Sequence, residues 1–178
     1  MIITLIRHTS VNVPEGMCYG QTDVPLKPSF FEEAEVTRNK IRAENFDAIY
    51  TSPLSRCVKL ADFCGFTNAQ KDDRIKELHF GDWEMQYYDQ ISDPHLQEWY
   101  NDYLNVTTTN GESFLMQYNR VSAFLNELKK KNYSSIAMFT HGGVILCAQV
   151  YAGLLKPEEI FKSMTPYGGI VKICLNSD

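Results

Sequence analysis

The sequence lacks any apolar run near the roughly 20 residues that cross a bilayer, and no membrane partner is expected. It has no basic excess either: 17 Lys and Arg stand against 22 Asp and Glu, a formal net charge of −5. Nucleic-acid binders carry a basic footprint, so that class is set aside. An anionic ligand stays open, because a local cluster of arginines reverses the sign of the field inside one cleft. The five cysteines (Cys18, Cys57, Cys64, Cys147 and Cys174) are odd in number and contain no C-x-x-C pair. That argues against a disulfide framework or a zinc site, and they read as small buried apolar side chains. The amino-terminal MIITLIRH lacks the basic region and cleavage site of a secretory signal, which makes the cytoplasm the expected compartment.

What is present is ordinary globular material. The chain has 178 residues, 44% hydrophobic and 22% charged, which suits one domain with a core of its own. Met1 to Ile6 is an isoleucine-rich run short enough to be a buried strand. Residues 14–28 are rich in turn formers and read as a loop over the sheet edge. Ser29-Phe30-Phe31-Glu32 has the form of a capping box, ahead of a helix to about Glu44. Ala48 to Thr51 is a second strand, and Ser52-Pro53 opens a helix through Arg56, Leu60 and Phe63, with proline in its tolerated first turn. Lys76 to Trp83 reads as a loop, and the aromatic-dense stretch Tyr87 to Tyr103 as helix.

Gly111-Glu112-Ser113 starts a further helix, with apolar spacing Phe114, Tyr118, Val121, Phe124, Leu125 and Leu128. Its terminal lysines, Lys129 to Lys131, suit the helix dipole and need no binding role. Ser135 to Thr140 is a strand, His141-Gly142-Gly143 turns it into a helix from Val144 to Leu154, and Ile170 to Leu175 is the last strand. Strands alternating with helices imply an α/β fold, a mostly parallel sheet covered on both faces. With no repeat and no linker, residues 1–178 are expected to form one domain, with a helical insertion over the cleft at about 84–110.

Two of these strands end in histidine at the same edge of the sheet: Ile6-Arg7-His8 and Phe139-Thr140-His141. Open α/β sheets place their ligand sites at the carboxyl ends of the strands. Arginine forks onto phosphate oxygens, a neutral imidazole nitrogen attacks phosphorus, and Gly142-Gly143 lets backbone N–H groups approach an anion at a helix start. Each element alone has a plain reading: a strand-end pair, a tight turn, an exposed helix arginine in Arg56, a solvated carboxylate in Glu77. Together they converge on one place.

The set Arg7-His8, Ser52-Pro53-Leu54-Ser55-Arg56, Glu77-Leu78-His79-Phe80-Gly81-Asp82-Trp83-Glu84, Gly111-Glu112-Ser113 and Thr140-His141-Gly142-Gly143 resembles the histidine phosphatase superfamily, which includes the cofactor-dependent phosphoglycerate mutases. The motifs stand in the family's order and span the chain from Arg7 to Gly143. The loop Gly16 to Leu26 looks like that of the alpha-ribazole-5′-phosphate phosphatases of cobalamin assembly. The resemblance implies a three-layer α/β/α sandwich with one antiparallel strand, no metal and no cofactor, and a small phosphomonoester as partner. It implies His8 as the nucleophile that becomes phosphohistidine. Arg7, Arg56 and His141 then hold the phosphoryl oxygens, with the Gly142 N–H, Thr9, Gln21 and Thr22 as further phosphate contacts, and Glu77 is the proton donor. Oligomeric state is not implied.

Three departures stand out. Where the family continues Arg-His-Gly-Glu-Thr, this chain has Thr9-Ser10-Val11; the downstream asparagine has no counterpart; and Met85 replaces the glycine after Trp-Glu. Rival chemistries are weaker. No cysteine is followed by five residues and an arginine, as a cysteine phosphatase needs, and His79, Asp82 and Glu84 read as a polar loop better than as metal ligands. The alternatives within the fold are a phosphoglycerate mutase, whose chemistry usually comes with a longer chain, and a broad small-molecule phosphatase; a phosphate-binding module without turnover is the non-enzymatic alternative.

Overall fold

Alternation along the strands decides which helices cover which face. In the computed structural model, which describes residues 1–176, β1 (Ile2–Arg7) points Ile3 and Leu5 to one side and Ile6 to the other. The strand β4 (Ser135–Thr140) does the same, with Ile136 and Met138 opposite Ala137 and Phe139. The first set packs with α4 (Phe114–Lys129) and α5 (Gly142–Tyr151), through Val121, Phe124, Leu125, Val144 and Ala148. The second packs with α1 (Phe30–Ile41) and α2 (Ser55–Phe63), through Ala34, Ile41, Cys57 and Leu60. The result is the α/β/α sandwich.

The sheet runs β3-β2-β4-β1-β5, with β2 at Ala48–Thr51, β3 at Gln70–Lys71 and β5 at Ile170–Cys174. All pairings are parallel except β1 with β5. The β1–β4 register pairs Arg7 with Thr140, so the next residue of each chain, His8 and His141, leaves the sheet side by side. Ser52 leaves β2 at the same edge, its N–H donating to Phe139 O.

Several local expectations are corrected. Ser29 precedes α1 without capping it: its hydroxyl donates to Glu33, and the helix stops at Ile41 rather than near Glu44. Pro53 lies ahead of α2, which begins at Ser55 after an extended Leu54. The stretch expected to be helical from Tyr87 to Tyr103 holds only one 3₁₀ turn, Tyr88–Gln90, and the short α3 (Leu96–Asn101). Its Ile91 and Trp99 join Trp83 and Cys18 in a small separate cluster, with Tyr88 and Tyr103 packed against it, and tertiary packing overrides helical periodicity there. The two-residue β3 and a 3₁₀ turn at Pro157–Lys162 carried no periodic signal. Among the described residues, no helix is long and apolar enough to cross a membrane.

Candidate active site

The carboxyl ends of three adjacent parallel strands build one polar cluster. The ring centroids of His8 and His141 are 5.2 Å apart, and both residues are buried. His8 Nδ1 lies 2.8 Å from Thr9 O. A carbonyl only accepts, so Nδ1 carries the proton and the Nε2 lone pair is free. Burial, Arg56 and Arg7 outweigh the Thr9 carbonyl and push the His8 pKa down to about 3. The ring is neutral, as a nucleophile needs. His141 also lies well below the usual imidazole range, through burial first and then Arg56 and His8. Its Nε2 is 2.7 Å from Ser52 Oγ, with Cys57 Sγ 3.5 Å away.

The two guanidiniums are held differently. Arg7 Nη1 donates to Thr165 O at 2.5 Å, and Tyr167 lies against its face, 4.1 Å from carbon to ring centroid. Arg56, fully buried, donates to Gly20 O at 2.6 Å and to Thr22 O at 3.0 Å. Each arginine keeps its Nε buried without a protein partner, and so does the Thr9 hydroxyl. Buried donors are nearly always satisfied in native proteins, so unspent donors on residues flanking His8 suit a site for an anion. A Cβ on Gly142 would sit 3.3 Å from the Arg7 guanidinium carbon and would push Met164 aside.

The backbone that receives Arg56 is itself held by Glu84. One carboxylate oxygen accepts from the N–H groups of Gln21 and Phe80, the other from the N–H and hydroxyl of Thr22. The Thr22 side chain is therefore engaged with Glu84, and the Gln21 amide donates to Glu77 O. As the structure stands, neither side chain is free toward a phosphate. Glu77 lies across the cleft on the turn after Asp73–Ile75. Its carboxylate accepts from Leu78 N, Gln117 Nε2 and Gly143 N at 2.9, 3.1 and 3.3 Å. Arg120 fixes that turn by donating to the carbonyls of Arg74, Lys76 and Glu77.

Beside Glu77 opens an apolar cavity of about 280 Å³. Phe80, Tyr88, Trp99, Tyr103 and Phe161 line it, with Tyr19, Glu77, Gln117 and Gly143 among the polar contributions. Of the aromatics from Trp83 to Tyr103, Tyr88, Trp99 and Tyr103 line it. Trp83 is buried behind them, and Tyr87 and Tyr100 do not line it.

Sequence reasoning missed Ser52 as a His141 partner, Glu84 as a loop anchor, Gln117, Arg120 and Tyr167. Gln117 had a signal, as a polar residue within the apolar stripe of α4. Tyr167 had a weaker one. It lies in Pro166-Tyr167-Gly168-Gly169, ahead of an antiparallel last strand that enters the sheet where β1 ends. Among the described residues, no group of three or more His, Cys, Asp or Glu could hold a metal ion.

The family model described as "Histidine phosphatase superfamily (branch 1)" matches residues 3–178. The Escherichia coli (strain K12) protein named adenosylcobalamin/alpha-ribazole phosphatase is 29% identical over 82% of this chain and 75% of its own. Phosphoserine phosphatase 1 of Hydrogenobacter thermophilus is 28% identical over 86% of this chain and 75% of its own. The crystal structure of the alpha-ribazole phosphatase from Shigella flexneri superposes with a TM-score of 0.89 at 25% identity, covering 99% of this chain and 91% of that one.

Proposed function

The chain belongs to branch 1 of the histidine phosphatase superfamily and is a phosphatase, and from that premise we propose that His8 is its nucleophile and that its substrate is a phosphomonoester whose leaving alcohol carries a planar, mostly apolar ring, of the alpha-ribazole 5′-phosphate kind. The observation that carries the nucleophile is the neutral His8 ring, its Nδ1 proton donated to Thr9 O, in the field of the Arg7 and Arg56 guanidiniums, whose Nε–H donors are unspent. In the first step the Nε2 lone pair bonds to phosphorus while the bond to the ester oxygen breaks, and Glu77 hands that oxygen a proton. In the second, water gives its proton to the Glu77 carboxylate as its oxygen displaces His8, releasing phosphate. Such transfers are loose and are catalysed mostly by positioning and charge. Arg7 and Arg56 supply the charge, with the neutral His141 ring, the Gly142 N–H and the Thr9 hydroxyl as further contacts.

The cavity supports the substrate class. No Lys, Arg or His lines it, so the carboxylate of a phosphoserine leaving group would meet no cation there. A planar ring would meet Tyr88, Trp99 and Tyr103, and aromatic pairs in offset or edge-on contact favour each other beyond area burial alone. A panel of alpha-ribazole 5′-phosphate, phosphoserine, sugar phosphates and 3-phosphoglycerate tests this. The expected result is a kcat/KM on alpha-ribazole 5′-phosphate at least about tenfold above phosphoserine, the scale of one well-filled apolar pocket. Equal rates on both remove the narrow substrate, and conversion of 3-phosphoglycerate into its 2-isomer restores the mutase. In the same assay Glu77→Gln is expected to slow hydrolysis by about 10²–10⁴ while inorganic phosphate still inhibits.

A further inference from the structure

His8 is 1% exposed, and Arg56 and His141 are 0% exposed, so a phosphate must displace something to reach them. Two tyrosines stand in its way. The Tyr167 ring covers the Arg7 guanidinium at 4.1 Å and lies 5.5 Å from the His8 ring. The Tyr19 ring lies 5.4 Å from the Arg56 guanidinium carbon. The two hydroxyls meet at 2.8 Å. One side chain over each arginine, joined tip to tip, spans the pair of groups that the proposed reaction uses to hold phosphate.

We propose that Tyr19 and Tyr167 form a latch across the phosphate end, whose single hydroxyl–hydroxyl bond must break before a phosphomonoester reaches His8, and that the Tyr167 ring separately holds Arg7 in place. The inference rests on the reading of His8, Arg7 and Arg56 given above. Neither tyrosine stands on a loose base. Gly168 N donates to His8 O and Arg7 N to Gly169 O, stitching the Tyr167 segment to the strand that carries the nucleophile. The Tyr19 turn is closed by Thr22 N donating to Tyr19 O and is anchored at Gln21 and Thr22 by Glu84. Opening is therefore a rotation of side chains, not a swing of loops. Tyr167 is 39% exposed, which gives its ring room to turn outward.

A closed state that excludes ligand lowers apparent affinity by the fraction of molecules that are closed. One net hydrogen bond is worth about fivefold in such an equilibrium. The probe is inorganic phosphate, as a competitive inhibitor of p-nitrophenyl phosphate hydrolysis and by calorimetry. Tyr167→Phe keeps the ring on Arg7 and loses the bond, so its Ki for phosphate should fall, up to about fivefold. Tyr19→Phe, from the other side, should give the same fall, and the double variant no more than either, since only one bond exists to lose. Tyr167→Leu loses the ring as well as the bond, so its Ki should lie roughly 2- to 30-fold above that of Tyr167→Phe, the range of a cation–π contact. A fall from wild type to Phe and a rise from Phe to Leu at one position are not produced by general loosening. An unchanged or raised Ki in both Phe variants, or falls that add in the double variant, overturns the latch. A wild-type protein that neither hydrolyses the ester nor binds phosphate overturns the reading of the site beneath it.

Discussion

The two ends of the cleft are made in different ways. At the phosphate end, His8, Ser52 and His141 each follow the last residue of a parallel strand, and Arg56 is the second residue of α2. Their relative placement is set by sheet register, Arg7 against Thr140 and Thr51 against Phe139. At the leaving-group end, the walls come from the 16–20 loop, the 76–103 stretch, the first turns of α4 and α5, and the turn at Pro157–Lys162. Little there is tied to the sheet. The proposed chemistry is thus placed on residues whose spacing the sheet sets. Selectivity is carried by segments that can change without moving a strand.

If that division is right, damage at the two ends differs in kind. The largest expected effect is that of His8→Ala, which removes the proposed nucleophile. Turnover of p-nitrophenyl phosphate should fall by at least about 10⁴-fold, the scale seen when a covalent nucleophile is deleted, and equally for every ester in the panel. A loss confined to some esters would mean that His8 shapes the leaving-group pocket instead.

The same division explains what the sequence made legible. β2, β4, β5 and nearly all of β1 were readable because short apolar runs with turn formers at their ends have few other fates, and Arg7, His8 and His141 followed from where those runs stop. Arg56 and Glu77 were readable only through the motifs around them. The stretch from Tyr87 to Tyr103 was misread because its aromatics suit a helix face and a packed cluster equally well, and the contact of Trp99 with Trp83 decided the matter. Phe161 and Met164 could not be foreseen as pocket walls. Their segment has no period, and long-range contacts such as that of Phe161 with Tyr103 place it. Long-range partners such as Glu84 for the Arg56-binding loop have no local signature at all.

A smaller effect should follow at the other end. Trp99 is 7% exposed, lines the cavity and packs edge-on against Phe80 and Trp83. Trp99→Ala should raise KM for an ester with a planar aromatic leaving group by about 10- to 100-fold, the 1–3 kcal/mol of a lost apolar contact. Inhibition by inorganic phosphate should hardly move. A parallel change in the phosphate Ki would join the two ends into one unit and break the comparison.

The smallest expected effect is on stability, and it separates the ends by the sign of a slope. His8 and His141 are buried neutral, with native pKa values below the ordinary histidine value, about 3 for His8. Between pH 6.5 and about 3 the unfolded chain therefore binds more protons than the folded one, and stability falls as pH falls through that window. His8→Ala deletes one of these groups, so the drop in Tm from pH 7 to pH 4 should shrink by several degrees, at about 2–4 °C per kcal/mol in a domain this size. His141 keeps part of the slope. Trp99→Ala removes no titrating group and should lower Tm by a similar amount at both pH values. If the acid slope of His8→Ala matches that of the wild type, the ring of His8 titrates in the folded protein near its ordinary value. The phosphate end would then be wetter than its burial implies, and the contrast between a dry, register-held chemical end and a loop-built pocket would fail at its first premise.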